Sequence, residues 1–88
     1  MLSLRADYAK KQSCNYSVFV SFPYNAFYIQ LIKTLPDRTW IPESKEWEVG
    51  QNSYQQLMNL IESHNLSYIV YLNIFHNLNL LWAEARLN

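Results

Sequence analysis

Few side chains in this sequence are of the types that perform chemistry, and none stands at the spacing that such chemistry requires. The candidates are one cysteine, Cys14, and two histidines, His64 and His76. A catalytic thiol needs a neighbouring base, and a zinc site needs ligands in close pairs. Cys14 has no histidine near it in sequence, and the two histidines lie twelve residues apart without acidic or cysteine partners at ligand spacing. We therefore predict no catalytic residues, no metal site and no cofactor, and we interpret the chain as a non-enzyme.

A glycine-rich phosphate-binding loop is excluded, because the sequence has a single glycine, Gly50. Basic side chains are therefore the remaining candidates for binding phosphate groups. Seven basic residues balance seven acidic ones, which is not typical of a strong duplex binder. Arg5, Lys10 and Lys11 nevertheless make residues 1–15 positive, and we predict a basic N-terminal arm there that follows a phosphate backbone. Short basic ends are also ordinary solubilising tails, so that alternative stays open.

Composition predicts one domain, residues 1–88, with a core of large rings. Half of the residues are hydrophobic, and seven Tyr, four Phe and three Trp are among them. A lone cysteine cannot form an internal disulfide, which favours the cytoplasm or another reducing intracellular compartment. No apolar run has the length of a signal peptide or a membrane span, so we expect neither secretion nor a membrane partner.

The first half of the chain predicts a strand followed by a helix. From Tyr16 to Phe22 the residues Tyr, Val, Val and Phe alternate with Ser, Phe and Ser at the strand period. We expect the face with the two serines to be the more solvent-exposed one. Asn25 is suited to cap a helix that ends before Pro36. Its apolar positions follow helical spacing: Tyr28, Leu31, Ile32 and Leu35.

A hairpin is predicted next, with strands at 38–41 and 46–49 joined by Pro42-Glu43-Ser44-Lys45. In that register Trp40 lies opposite Trp47, so both indoles share one side. The other side carries Thr39, Ile41, Glu46 and Glu48. We predict that this second side is an acidic surface that repels a phosphate backbone.

The second half predicts a helix capped by Ser53 and ending at His64-Asn65, a strand at 67–72 and a last helix. The predicted fold class is α+β, in the order β-α-β-β-α-β-α. It has a small mixed or antiparallel sheet of three to four strands, two amphipathic helices on one face and a C-terminal helix. Residues 16–66 are the predicted core, and residues 67–88 an apolar strand and helix.

The middle of the chain, about residues 18–61, resembles the HARP domain of annealing helicases and related DNA-remodelling ATPases. The resemblance rests on an alternating strand, an apolar helix and these residues in order: Tyr24-Asn25, Ile32-Lys33, Arg38, Trp40, Pro42, Lys45 and Trp47. Ile41 departs from the family pattern, which usually has an acidic residue there. The resemblance implies binding of DNA or fork structures, without a motor, and it places Lys33, Arg38 and Lys45 at basic motif positions.

Each of these residues also has a purely structural interpretation. Trp40 and Trp47 are suited to stacking on bases, but indoles beneath apolar helices are more simply core residues. Lys33 lies near a helix C-terminus, where its charge interacts favourably with the helix dipole. Arg38 can pair with Asp37 or a neighbouring glutamate.

Two functions are therefore predicted. The first is a non-catalytic nucleic-acid-binding accessory module that acts with a helicase or recombination ATPase and binds single-stranded or forked DNA. The second is a small stand-alone protein-binding factor, such as a phage or mobile-element inhibitor of a nucleic-acid enzyme. Its interface, or a self-association surface, would be an apolar C-terminal stripe that otherwise completes the core: Phe75, Leu78, Leu81 and Trp82.

Overall fold

The start of the chain forms a strand and not a free arm. In the computed structural model Leu2–Tyr8 is strand β1, and its alternate residues Leu2, Leu4 and Ala6 are buried. This alternation at the strand period places three apolar side chains on one face of a sheet. The prediction of a basic N-terminal arm is thus corrected, because the segment belongs to the hydrophobic core.

The structure describes residues 1–71. The predicted C-terminal helix, His76 and the predicted interface residues Phe75, Leu78, Leu81 and Trp82 lie outside this range. After β1, the elements are β2 (Tyr16–Ser21), α1 (Ala26–Ile32), β3 (Arg38–Ile41), β4 (Glu46–Val49), a short 3-10 turn (Gln51–Ser53), α2 (Tyr54–Ser63) and β5 (Tyr68–Tyr71). Neither α-helix in this part of the chain has the length and apolar character of a membrane-spanning segment.

The strands form one five-stranded mixed sheet in the order β3-β4-β2-β1-β5. β1 pairs antiparallel with β2 and parallel with β5, whereas β2, β4 and β3 pair antiparallel in turn. The predicted fold class, with a sheet of three to four strands, is therefore wrong. The error arose at β1, whose interleaved Arg5 and Asp7 predicted a solvated segment although each of them forms an ion pair in the folded chain.

Both helices pack on the same face of the sheet and build the core with it. The cluster contains Leu2, Leu4, Ala6, Val18, Val20, Ile32, Leu35, Val49, Tyr54, Leu57, Met58 and Ile61. α1 begins at the predicted cap, where the Asn25 side chain accepts the N–H of Tyr28 at 3.1 Å. The helical spacing of the apolar residues thus explains which side of each helix faces the sheet.

The two ends of α2 differ in how their backbone groups are capped. Ser53 precedes α2 as predicted, but its hydroxyl accepts the N–H of Asp37 at 2.9 Å and does not cap the helix. At the other end the N–H of Leu66 bonds to the carbonyl of Ile61, and Asn65 adopts a φ of 52°. This is a Schellman ending, in which a left-handed residue satisfies the last carbonyl groups. The predicted end at His64-Asn65 is confirmed.

The second face of the sheet, opposite the helices, is also largely buried. Ser17 and Phe19 on β2 and Ile41 on β3 have almost no exposure to solvent. The expectation that the serine side of β2 is the wetter one is therefore wrong.

We predict that Leu4→Ala destabilises the domain by about 2–5 kcal/mol, the usual effect of truncating a fully buried leucine. Urea denaturation followed by tryptophan fluorescence measures this loss. Ser3→Ala, on the opposite face of β1, is the matched control and should change the stability little. If the two variants were equally stable, β1 would not be part of the core.

Candidate nucleic-acid interface

An open cleft of about 560 Å³ lies on the helix side of the sheet, between α1 and the hairpin of β3 and β4. One wall comes from α1 and the segment that precedes it, and the other comes from the hairpin. The lining residues are Ser21, Phe22, Tyr24, Ile29, Lys33, Trp40, Lys45 and Trp47. A cleft of this size, with aromatic walls and a few charged groups, is typical of a ligand-binding site.

The two indoles form a pair in this cleft. Trp40 lies opposite Trp47 in the β3–β4 register, as predicted, and the ring centroids are 5.2 Å apart with the planes tilted by 57°. Trp47 packs against the core, whereas Trp40 remains 43% exposed. The core interpretation therefore holds for Trp47 only. β3 lies at the edge of the sheet that residues 1–71 form, and its indole is exposed at the cleft.

Lys33 and Lys45 bring positive charge to the two walls. Lys33 is the C-cap of α1, where its backbone N–H bonds to the carbonyl of Ile29. Lys45 is the last residue of the hairpin turn and adopts a φ of 55°, a left-handed conformation that favours glycine or asparagine. Both side chains are exposed, so each ammonium group is accessible to a ligand in the cleft.

Arg38 lies on the same face of the hairpin as Trp40 but does not line the cleft. The residue is exposed, and one guanidinium nitrogen donates to the carbonyl of Leu35 at 2.8 Å. Asp37, one of its predicted partners, accepts the N–H of Asn52 at 3.1 Å. Arg38 therefore extends the positive side of the hairpin beyond the cleft.

The predicted acidic surface of the hairpin is not a surface. Glu48 is fully buried on the second face of the sheet, where its carboxylate accepts the N–H groups of Lys10 and Lys11 at 2.7 and 2.8 Å. The hydroxyl of Ser17 donates a third bond at 2.8 Å. A buried carboxylate needs such donors, and residues 9–15, between β1 and β2, supply two of them. The prediction is corrected, because this charge is internal.

Arg5 joins Glu46 to β1. Its guanidinium donates two bonds to Glu46, at 2.9 and 2.7 Å, and one to Asp7 at 2.7 Å, and it lies 4.4 Å above the Phe19 ring centroid. The hydrogen bond with Glu46 raises the pKa of Arg5 above its ordinary value. A two-bond arginine–carboxylate pair is both strong and directional. Arg5 is thus committed to the fold and is not part of a free basic arm.

The other two basic residues of the predicted arm, Lys10 and Lys11, are exposed but lie away from the cleft. Their backbone N–H groups bind Glu48, on the face of the sheet opposite Trp47. The structure thus brings together Lys33 and Lys45, places Arg38 nearby, and separates Arg5, Lys10 and Lys11 from them.

Nothing in residues 1–71 forms a group of three or more His, Cys, Asp or Glu side chains that could hold a metal. The Cys14 thiol donates to the carbonyl of Tyr16 at 3.1 Å and lies 3.6 Å from the Ser17 hydroxyl. His64 packs edge-on against the Phe27 ring, with centroids 5.5 Å apart. Cys14 and His64 thus make local packing and hydrogen-bond contacts.

Sequence reasoning missed Tyr24 as a site residue, although the residue belongs to the motif quoted above. It is 87% exposed at the mouth of the cleft. Its position between Pro23 and the helix cap Asn25 was the available signal, because a ring in such a connection has little core to enter.

Comparison with known proteins identifies one family. The sequence model described as HepA-related protein (HARP) matches residues 18–71, which is more than half of the 88-residue chain. All residues that line the cleft fall within this span, whereas β1 precedes it. No curated protein and no solved structure matches the chain.

Acid should weaken the fold through Glu46. Burial alone raises the pKa of this carboxyl, but hydrogen bonds from Arg5 and Ser44 and the charges of Arg5 and Lys10 lower it below its ordinary value of 4.5. A carboxyl whose pKa is lower in the folded chain stabilises fully above its unfolded-state pKa, and this stabilisation is lost as the pH falls through its folded-state pKa. The free energy of unfolding should therefore decrease below about pH 4.5.

Urea denaturation at a series of pH values measures this dependence. Glu46→Gln should be less stable than the parent at neutral pH and should lose less stability in acid. Glu43→Gln, in the exposed hairpin turn, is the control and should keep the parental pH profile. An unchanged acid dependence in Glu46→Gln would contradict the prediction.

Proposed function

The chain belongs to the HARP, or HepA-related protein, family, and on that premise we propose that it is a non-catalytic nucleic-acid-binding module that acts beside a helicase or recombination ATPase. In this proposal Lys33, Lys45 and Arg38 contact phosphates of single-stranded or forked DNA. The observation that carries the proposal is the cleft, which places two exposed lysines beside two indoles within the family span.

The distribution of charge supports phosphate binding on this side of the molecule. Zero net charge would weaken such binding if acidic side chains surrounded the cleft. Glu46 and Glu48 of the hairpin are instead buried on the second face of the sheet, bonded to Arg5 and to the residues that follow β1. Glu43, in the turn beside Lys45, is the exposed acidic residue of the hairpin. The fold thus keeps most of the hairpin's negative charge away from the cleft.

The alternative function, a stand-alone protein-binding factor, loses one of its supports. An acidic hairpin face was one reason to expect a protein partner, and the two carboxylates concerned are buried. Zero net charge still suits a protein partner, whereas the apolar C-terminal stripe lies outside the described residues. The nucleic-acid module is therefore the better-supported proposal.

Removing the two lysines of the cleft should weaken binding of a labelled single strand and make it less sensitive to salt. Each phosphate contact contributes about 0.7 to the slope of log affinity against log salt for a single strand, so the loss of two should make it shallower by about 1.4. The variant is Lys33→Ala with Lys45→Gly, because glycine suits the positive φ at position 45. Fluorescence anisotropy at several salt concentrations measures affinity and slope.

The matched control is Lys10→Ala with Lys11→Ala, which removes the same charge from the opposite face and keeps the backbone bonds to Glu48. It should retain most of the affinity. Equal losses in the two double variants would mean that net charge alone governs binding. A folded parent that binds no single-stranded, duplex or forked DNA at low salt would overturn the proposal and favour a protein partner.

A further inference from the structure

We propose that the cleft accepts an unpaired nucleobase, stacked on Trp40, so that the module selects single-stranded segments or unpaired strand ends over intact duplex. This inference rests on the proposed function and names the part of the nucleic acid that the cleft holds. It goes beyond phosphate contact, because the ligand would enter the cleft with its base and not only with its backbone.

The walls of the cleft are suited to a flat aromatic group. The Trp40 ring is exposed, and the Trp47 ring lies next to it on the neighbouring strand, with centroids 5.2 Å apart. The Tyr24 ring, on the other wall, is 87% exposed. Large exposed rings gathered in one concave site are uncommon on a protein surface without a ligand-binding role. A base inserted here would cover apolar surface that water now contacts.

An intact duplex cannot use this arrangement. Paired bases are stacked on one another and present only their edges in the grooves, so the face of a base reaches Trp40 only if the strand is unpaired or the base leaves the stack. Strand ends, gaps and fork junctions supply such bases. The preference would therefore follow from the shape of the cleft and not from the charge of its rim.

The same lining predicts tolerance of sequence. Apart from the two lysines, the described lining residues with polar side-chain groups are Ser21, Tyr24, Trp40 and Trp47. Specific readout of a base requires several fixed donors and acceptors, whereas every base has a face on which an aromatic ring can stack. Lys33 and Lys45, one on each wall, would hold the phosphates that flank the inserted base.

The test compares a labelled single-stranded oligonucleotide with an abasic oligonucleotide of the same length, which keeps every phosphate and lacks the bases. The parent protein should bind the abasic strand about 5- to 150-fold more weakly. Trp40→Ala should lose a similar factor with the normal strand and almost nothing with the abasic strand. Trp40→Phe, which keeps an aromatic ring, should recover much of the loss.

Phe27→Ala is the control for the loss of a ring, because Phe27 is 49% exposed on α1 and does not line the cleft. It should bind both strands as the parent does, and circular dichroism should show that every variant is folded. Equal binding of normal and abasic strands, or equal losses with both in Trp40→Ala, would overturn the inference while leaving phosphate binding intact. Failure to bind any oligonucleotide at low salt would overturn the proposed function and this inference together.

Discussion

A fully buried carboxylate, that of Glu48, constrains much of this small fold. A charge in such a place is tolerated only when hydrogen-bond donors surround it, and Lys10, Lys11 and Ser17 provide them. The residues between β1 and β2 must consequently fold back onto β4. Because side chains alternate along a strand, the same β4 that turns Glu48 toward these donors turns Trp47 toward the cleft. The two faces of β4 thus connect an internal electrostatic network to a potential binding surface.

Much of the local structure could be predicted because its causes are local. The hairpin strands have the predicted bounds and pairing, and Asn25 caps α1 as its side chain and position suggested. Strand β1 could not be recognised in the same way. The signal of Leu2, Leu4 and Ala6 is short, and the charges between them appear incompatible with burial until Arg5 meets Glu46, a partner 41 positions away in sequence. A pattern read over a few neighbouring residues does not reveal an ion pair between residues so far apart in sequence.

The candidate site also combines features that local sequence predicts with features that depend on distant residues. Sequence reasoning named six basic residues as nucleic-acid contacts, but only their tertiary surroundings distinguish an arginine held by two carboxylates, Arg5, from a lysine exposed beside an indole, Lys45. The Trp40–Trp47 pair was predictable from register, yet the exposure of Trp40 depends on β3 being an edge strand. The cleft is formed by three separate segments, at residues 21–24, 29–33 and 40–47. The sequence of any one segment does not predict it.

The parallel pairing of β1 with β5 has a consequence for the order in which this domain can fold. Leu2 pairs with Tyr68, so the first strand of the chain gains its second neighbour only from the last strand described. Contacts between such distant residues require the closure of a long loop, and topologies rich in them fold slowly. During synthesis on the ribosome, β1 can pair with β2 early, but its other edge must wait until residue 68 has emerged. The described sheet is therefore completed late, by closure of the segment between Leu2 and Tyr68.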